Sequence, residues 1–189
     1  HLFLSMHKHN HKKKGLKMKK VAVIHTSEVT LSKLKDLFAE IIPDVEMINI
    51  IDDSLLAEVK KNGHITPHVT SRVCEYAKIA QDLGACMILN QCSSVGEACS
   101  VARNLISIPY LKIDEPMDQK AVELGSKIAV IGTVASTMGP SCRLVEEMAQ
   151  NAGKPVEVTP MLIDGALDIL MKEHDQDKHN RLVLETIQK

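Results

Sequence analysis

The sequence predicts an α/β protein with parallel sheets flanked by helices. Short runs rich in β-branched residues alternate along the chain with longer amphipathic stretches, and several of these runs are apolar throughout. Uniformly apolar runs are typical of parallel strands that are covered on both faces. The alternation of strands and helices implies right-handed crossovers between neighbouring strands.

Each element is predicted from its own pattern. The apolar runs predict strands at 21–25, 45–51, 86–90, 110–113, 127–131 and 155–159. Apolar side chains at helical spacing predict three helices, at about 31–41, 67–83 and 144–149. Pro43 ends the first helix, and Gly153 is expected to cap the third.

Two stretches of the chain begin alike, which suggests two related α/β lobes. The sequence VAVIHTS at 21–27 is matched by IAVIGTV at 128–134, and each is a buried strand that ends in small or hydroxylated residues. We therefore expect a first lobe at 18–125 and a second at 126–189. Residues 1–17 are rich in lysine and histidine and are expected to form a disordered basic tail.

Composition excludes several classes of function. The chain is 44% hydrophobic and 25% charged, with a formal net charge of −1, so nothing indicates a nucleic-acid or anionic-membrane partner. No apolar run approaches the roughly 18 residues of a membrane span. Apolar residues precede the basic run at the start, the reverse of a secretory signal, so export is not expected.

The cysteines and histidines show no metal-binding spacing. The five cysteines form no CxxC pair, and their dispersion indicates free thiols in a reducing cytoplasm. His7, His9 and His11 alternate and could bind a metal, but the neighbouring lysines favour a solvated tail. We predict no metal site and a cytoplasmic protein.

Hydroxylated residues follow three of the predicted strands. They are Thr26 and Ser27 after the first strand, Ser93 and Ser94 after the third, and Thr133, Ser136 and Thr137 after the fifth. Ligands of parallel sheets bind beyond the carboxyl ends of the strands, where hydroxyl groups and helix N-termini suit a small carboxylate or phosphate. In any single loop the same residues could simply cap helices. Three such loops favour a ligand site.

Cys92 is the candidate for chemistry. Ser94 and Glu97 fit a capping box, which predicts a helix starting at Ser94. Cys92 would then lie between a buried strand and the positive end of a helix dipole, which favours a thiolate. The alternative is a small buried hydrophobe, the role expected of Cys74, Cys86 and Cys99.

Nucleotide-binding and serine-hydrolase signatures are absent. The chain has no GxGxxG after its first strand, no GxxxxGK[ST] and no GxSxG.

Four motifs resemble the aspartate/glutamate/hydantoin racemase superfamily. NQCSSVGEA at 90–98 resembles its first cysteine loop, and IDEPM at 113–117 a run common in its less characterised members. IGTVASTMGPS at 131–141 resembles the opening turn of its second lobe, and VAVIHTS at 21–27 fits the first. The combination covers most of the chain and is more specific than any single motif.

The resemblance implies two pseudo-symmetric lobes with an active site in the cleft between them. It implies an isomerase that needs neither pyridoxal phosphate nor any other cofactor, with Cys92 as the base of the first lobe. It suggests that a small carboxylate-bearing substrate is bound by Asn90, Ser93, Ser94, Thr133 and Thr137. Thr26, Ser27 and Ser136 join them as substrate-binding candidates because of their place after the strands.

The resemblance also implies a second acid or base. The symmetric counterpart of Cys92 would fall beyond Lys189, so we expect a C-terminally truncated chain with an incomplete second lobe. Cys142 could substitute, or could be an ordinary thiol on a helix face. The first hypothesis is a racemase or epimerase of aspartate, glutamate or hydantoin type. The alternatives are a single-cysteine decarboxylase or cis–trans isomerase of a small dicarboxylate, and a non-catalytic carboxylate-binding module. A homo-oligomer is left open.

Overall fold

The computed structural model describes residues 18–188, so the predicted tail at 1–17, with its three histidines, lies outside the described residues. The first part of the chain forms β1 (Lys19–His25), α1 (Leu31–Ile41), β2 (Val45–Ile51), α2 (Ser54–Asn62), α3 (Pro67–Asp82), β3 (Met87–Asn90), α4 (Gly96–Arg103) and β4 (Tyr110–Lys112). The second part forms α5 (Glu115–Leu124), β5 (Lys127–Gly132), α6 (Ala135–Asn151), β6 (Glu157–Leu162), α7 (Ala166–Asp168) and α8 (Gln176–Ile187).

The first four strands form one parallel sheet in the order β2-β1-β3-β4. β1 is central because its side chains are apolar on both faces, and Ala22, Val23 and Ile24 are fully buried. In the register, Ile24 pairs with Ile50 of β2 on one side and with Asn90 of β3 on the other. The prediction of parallel sheets flanked by helices is confirmed.

Helix α3 covers this sheet with the apolar stripe that the sequence predicted. Val69, Val73 and Ala77 are fully buried in the main core, together with residues of β1, β3 and α4. The helix begins where it does because the hydroxyl of Thr66 accepts a hydrogen bond from the main-chain N–H of Val69 and Pro67 occupies the first turn.

Strands β5 and β6 form a second parallel sheet, with α6 as the crossover between them. A small core packs Val122 of α5 against Val145 and Ala149 of α6. Gly153 has a left-handed φ of 64° just past the end of α6, as predicted for a helix-capping glycine. The predicted division between residues 125 and 126 falls between α5 and β5.

Three polar contacts link one face of α6 to the turn after β3, to α4 and to β4. The hydroxyl oxygens of Ser94 and Ser136 are 3.3 Å apart. The Arg143 guanidinium donates to a carboxylate oxygen of Glu97 at 2.6 Å. Glu147 lies 3.8 Å from the ammonium of Lys112, at the end of β4. Ser136 and Arg143 are about two helical turns apart, and Arg143 and Glu147 are about one turn apart. The three side chains therefore share a face of α6.

Two predictions about individual elements are wrong, and one helix was given no bounds. The last strand is β6, at Glu157–Leu162, and not 155–159. Cys86 was expected to be packed inside a strand, but it is exposed and precedes β3. Helix α2 was not predicted, because its apolar stripe is short and only Leu55 and Val59 are buried.

The predicted capping box at Ser94 and Glu97 is also wrong. Residues Ser93–Val95 form a 3-10 turn, and α4 begins at Gly96. The Ser94 hydroxyl contacts Ser136 and the Glu97 carboxylate pairs with Arg143, so neither side chain is used to cap the helix. Long-range partners on α6 displaced the local hydrogen bonds that the motif predicts.

None of the helices within residues 18–188 is both long enough and apolar enough to cross a membrane.

Candidate active site

The loops after β1 and β3 lie side by side because the two strands are parallel neighbours in one sheet. The main-chain N–H of Gln91, in the second loop, donates to the carbonyl oxygen of Ile24 at the end of β1. The loop after β5 belongs to the second sheet, and it meets the other two through the contact between Ser94 and Ser136. All three hydroxyl-bearing loops therefore come together.

Cys92 lies at the point where the chain leaves β3. Its backbone is extended, with φ of −128° and ψ of 115°, and it directly precedes the 3-10 turn. The side chain is half-buried and packs against the main core on one side. The thiol is thus held by the core while it remains accessible from the loops.

A cavity of about 300 Å³ brings Cys92 together with most of the predicted binding residues. The predicted residues in its lining are Thr26 and Ser27 after β1, Ser93 and Ser94 after Cys92, and Thr137 in the first turn of α6. Short side chains at the ends of strands leave room for a small ligand, and their hydroxyl groups can donate to it or accept from it. This cavity is the candidate active site.

Thr133 and Ser136 line a neighbouring cavity of about 480 Å³. The two cavities share Lys60, Val134 and Leu167. The hydroxyl of Ser136 nevertheless contacts that of Ser94, which lines the candidate site. Ser136 therefore packs against a residue of that lining.

The substrate-binding role predicted for Asn90 stays a prediction: its side-chain nitrogen bonds the protein's own backbone, and its Oδ1 is buried without a hydrogen-bond partner among the described residues. Asn90 is only 1% exposed, and its amide donates to the carbonyl oxygen of Cys92 at 2.7 Å. This hydrogen bond fixes the carbonyl of Cys92 at the end of β3.

Several lining residues were not identified from the sequence. They are Lys60 and Leu56 on α2, Val29 before α1, Val134 before α6, and Leu167 and Met171 from the segment after β6. Leu56 and Lys60 are four residues apart, a spacing that would have placed them on one face of a helix had α2 been recognised. The segment that carries Leu167 and Met171 has no comparable local pattern, because α7 is short and continues into a π-helical turn.

Charge is distributed unevenly around the site. Among the described residues that line the Cys92 cavity, Lys60 is the only charged one, and no described carboxylate pairs with it. The hydroxyl oxygen of Thr30, also in the lining, is buried and has no hydrogen-bond partner within residues 18–188. The cavity therefore offers one cation.

A buried acidic group lies beside a third cavity, of about 570 Å³, along β5. The lining of this cavity includes Asp114 and Asp118 together with Ser93, Thr133 and Thr137. Asp118 is 5% exposed, and burial together with the charges of Asp114 and Glu115 raises the pKa of its carboxyl from 3.8 to about 7. Lys112 opposes that rise.

The part of the chain from 18 to 188 contains no cluster of three or more histidine, cysteine or acidic side chains arranged to hold a metal ion.

Neither a protein-family model nor a curated protein matches this chain. A glutamate racemase isoform from Bacillus anthracis matches its fold with a TM-score of 0.67 and 16% identity, over 90% of this chain and 63% of that one. Glutamate racemase from Aquifex pyrophilus matches with a TM-score of 0.53 and 22% identity, over 75% of this chain and 54% of that one. Allantoin racemase from Klebsiella pneumoniae matches with a TM-score of 0.60 and 14% identity, over 90% and 70%.

The chain thus spans 54% and 63% of the lengths of the two glutamate racemases. At these identities the likeness concerns the fold. It agrees with the α/β fold of parallel sheets flanked by helices that the sequence predicted. This chain has the fold of the two glutamate racemases and the allantoin racemase.

Proposed function

We propose that this protein is a cofactor-independent racemase or epimerase that transfers a proton at the carbon next to a carbonyl or carboxyl group, with Cys92 as one base. The observation that carries the proposal is the common cavity of Cys92 and the hydroxyl groups of Thr26, Ser27, Ser93, Ser94 and Thr137. The fold shared with glutamate and allantoin racemases supports it.

The chemistry follows from these groups. The Cys92 thiolate takes the proton from the substrate's α-carbon and becomes a thiol, and the electron pair of the broken C–H bond moves onto the adjacent carbonyl oxygen. Hydroxyl and main-chain N–H donors in the loops stabilise the negative charge that develops there. An acid on the opposite face of the carbon then returns a proton, and the configuration is inverted.

Asn90 and Ser136 serve this site indirectly in the proposal. Asn90 fixes the Cys92 carbonyl, and Ser136 contacts Ser94, so both restrict the position of the thiol. A reacting group held to within a fraction of an ångström reacts far faster than a mobile one.

Cys142 is a poor candidate for the second base. It lies on α6 and is half-buried, and burial raises the pKa of its thiol, with further contributions from Glu146 and Asp118. Arg143 opposes the rise. A raised pKa keeps the thiol protonated, which suits an acid, but Cys142 is not among the described residues that line the Cys92 cavity.

A second candidate is a single-thiol decarboxylase or cis–trans isomerase of a small dicarboxylate. The observation in its favour is that Cys92 is the one cysteine among the described residues that lines this cavity. A decarboxylase needs one group to protonate the carbanion left by CO₂, and an isomerase can add and expel a single thiolate.

The test is hydrogen–deuterium exchange at the α-carbon, followed by NMR in D₂O. The panel is aspartate, glutamate, N-carbamoyl amino acids and 5-substituted hydantoins, with the wild-type protein beside Cys92→Ala and Cys92→Ser. Exchange requires one working base, so it reports on Cys92 even where inversion needs a second group. We expect exchange in the wild type and a loss of at least about a hundredfold in both variants.

Cys86→Ala is the matched control, because Cys86 is exposed and lies outside the cavity lining. Its exchange rate should equal that of the wild type. Exchange that persists in Cys92→Ala would refute the role of Cys92. CO₂ release, or turnover of maleate without α-exchange, would favour the second candidate. Binding without any turnover would indicate a carboxylate-binding module.

A further inference from the structure

Two carboxyl groups at the start of α5 are buried without hydrogen-bond partners. Asp118 is 5% exposed and Asp114 is 9% exposed. Within residues 18–188, Oδ2 of Asp118 and Oδ1 of Asp114 are buried and neither oxygen has a hydrogen-bond partner. Most buried polar atoms in proteins are hydrogen-bonded, so an unpartnered pair of this kind indicates a role in binding or chemistry.

Both carboxyl groups line the cavity along β5, which adjoins the Cys92 cavity. The linings of the two cavities share Ser93, Val134 and Thr137. A small ligand that lies against these shared residues can therefore be reached from two sides, by the thiol of Cys92 and by a carboxyl group of α5.

Inversion of a carbon centre requires access of this kind from two sides. When Cys92 removes the α-proton, the carbon becomes planar, and the new proton must arrive on the face opposite the thiol. No acidic residue within residues 18–188 lines the Cys92 cavity, so the acid has to come from an adjoining wall. Cys142 lines neither the Cys92 cavity nor the cavity along β5.

The other acidic groups of the adjoining cavities are less suitable. Asp164 and Asp168 line the cavity that shares Lys60 with the Cys92 cavity, but both are exposed and Asp168 pairs with Lys172 at 3.0 Å. The His179 ring, in the lining along β5, contacts side chains of its own helix. The most deeply buried carboxyl group in these linings is that of α5 at position 118.

Charged and titratable groups from four elements face Asp118. They are Lys112 of β4, Asp114 and Glu115 at the start of α5, Cys142 of α6 and His179 of α8. Burial and the two neighbouring carboxyl groups raise the pKa of Asp118 to about 7, against the opposing effect of Lys112. Asp118 can therefore hold a proton at neutral pH and also release it, as a general acid must.

We infer that Asp118 is the acid of the proposed reaction and delivers a proton to the face of the substrate carbon opposite Cys92. The inference rests on the proposed function, which supplies the thiolate and the substrate carbanion. The O–H bond of Asp118 breaks, and its proton bonds to the carbon through the electron pair that the C–H bond left behind. Asp118 is then a carboxylate and Cys92 a thiol, and both return to their starting forms by proton exchange with water. Asp114 acts through Asp118 as a positioning residue, since its negative charge favours the protonated acid.

The test follows exchange and inversion separately in the full chain. The substrates are the separate L and D forms of aspartate, glutamate and 5-benzylhydantoin, incubated in D₂O with the wild type and with Asp118→Asn. NMR measures deuterium at the α-carbon, and chiral chromatography measures inversion. The informative enantiomer is the one whose exchange is lost in Cys92→Ala. For it, Asp118→Asn should keep the exchange rate within about tenfold, because the thiol can return deuterium to the same face. Its inversion rate should fall at least about a hundredfold.

Inversion by Asp118→Asn at the wild-type rate would overturn the inference. A parallel loss of exchange and inversion would also overturn it, because a merely structural role lowers both. Failure of the proposed function looks different. Exchange that does not depend on Cys92, or no exchange in the wild type, would refute the proposed function and this inference with it.

Two further variants serve as matched controls. Asp118→Glu keeps an acid and should invert at least about tenfold faster than Asp118→Asn. Glu123→Gln removes an exposed carboxyl group from the same helix and should leave exchange and inversion within about twofold of the wild type. Inversion by Asp118→Glu that is no faster than by Asp118→Asn would contradict the assignment.

The dependence on pH gives a second readout. The ratio of inversion to exchange should fall as the pH rises through about 7, because Asp118 loses the proton that it delivers. Asp114→Asn removes a neighbouring negative charge, which lowers the pKa of Asp118, so the ratio should begin to fall at a lower pH. A ratio that stays constant with pH, or a profile unchanged by Asp114→Asn, would overturn the inference.

Discussion

The side-chain amide of Asn90 donates a hydrogen bond to the main-chain carbonyl oxygen of Cys92, with 2.7 Å between the two atoms. Asn90 is the last residue of β3, so the contact ties the candidate base to the end of a buried strand. The position of the thiol is thereby coupled to the sheet, although Cys92 itself lies in a loop.

Replacing Asn90 by alanine should therefore impair both folding and chemistry. The carbonyl of Cys92 would lose the Asn90 amide but keep the main-chain N–H of Val95, so the free energy of unfolding should fall by about 0.5–1.5 kcal/mol. Loss of positioning should lower kcat/KM for α-proton exchange by about tenfold or more. Denaturant unfolding and the D₂O assay measure the two effects.

Asn104→Ala is its control. The amide of Asn104 donates to the carbonyl oxygen of Ser100 at 3.3 Å in an exposed position, so it makes the same kind of bond far from the thiol. Its loss should leave exchange unchanged. Exchange at the wild-type rate in Asn90→Ala would contradict a positioning role.

The contact between Ser94 and Ser136 should contribute measurably to stability because it bridges the Cys92 loop and α6. Ser136→Ala should lower the free energy of unfolding by about 0.5–1.5 kcal/mol. A double-mutant cycle with Ser94→Ala isolates the pair, and we expect a coupling energy of at least about 0.5 kcal/mol. Ser71→Ala, whose hydroxyl makes an exposed contact with Glu75 at 3.4 Å, is the control. Strictly additive effects of the two serine variants would show that the bond contributes nothing.

Asp52 joins α2 to α3 and should make stability depend on pH at the acidic end. Burial opposes its ionisation, but hydrogen bonds from Ser54, Tyr76 and Arg72 outweigh that effect and lower the pKa of Asp52 from 3.8 to about 2. Because the folded-state pKa is the lower one, the unfolded chain binds the proton more tightly. The stabilisation that ionised Asp52 provides is therefore complete above pH 3.8 and is lost as the pH falls towards 2.

Asp52→Asn should accordingly lower the free energy of unfolding by about 1–3 kcal/mol at pH 7. The difference from the wild type should shrink as the pH falls below about 4. Unfolding in urea at several pH values measures it. Asp53→Asn is the control, because Asp53 is exposed and makes no side-chain hydrogen bond to cap α2. A difference that stays constant with pH would contradict the assignment.

Asp118 should have the opposite dependence on pH. Burial and the neighbouring Asp114 and Glu115 raise its folded-state pKa from 3.8 to about 7, so the native state binds the proton more tightly than the unfolded chain. The contribution of Asp118 to the free energy of unfolding is therefore most favourable below pH 3.8 and is lost as the pH rises towards 7.

Asp118→Asn removes this charge and should raise the free energy of unfolding at pH 8 by roughly 1–3 kcal/mol. The gain should vanish near pH 4. Glu123→Gln, on the exposed side of the same helix, should change stability by less than about 0.5 kcal/mol at either pH. Asp118→Asn that is less stable than the wild type at pH 8 would contradict this prediction. It would show that the ionised carboxylate makes favourable interactions that outweigh the cost of its burial.

The elements that sequence predicted best are those with a uniform local pattern. β2 was predicted with its observed bounds and β1 to within two residues, because valine and isoleucine recur along both strands. The start and end of α1 follow from its apolar spacing and from Pro43. β6 was misplaced because it contains Pro160, which reads as a strand breaker but pairs with Val130 in the second sheet.

The sequence by itself determined the parallel α/β class, the loops that carry hydroxyl groups and the thiol among them, since each of these depends on residues adjacent in the chain. Only the tertiary structure decided which loops meet. The partners of Ser94 and Glu97 are 42 and 46 residues away, and these distant contacts displaced the capping box that local spacing predicted. Lys60 and Met171 likewise reach the Cys92 cavity only through the packing of α2 and of the segment after β6. Local periodicity specifies which face of an element is apolar, but the identity of its neighbours depends on how the separate faces are buried against one another.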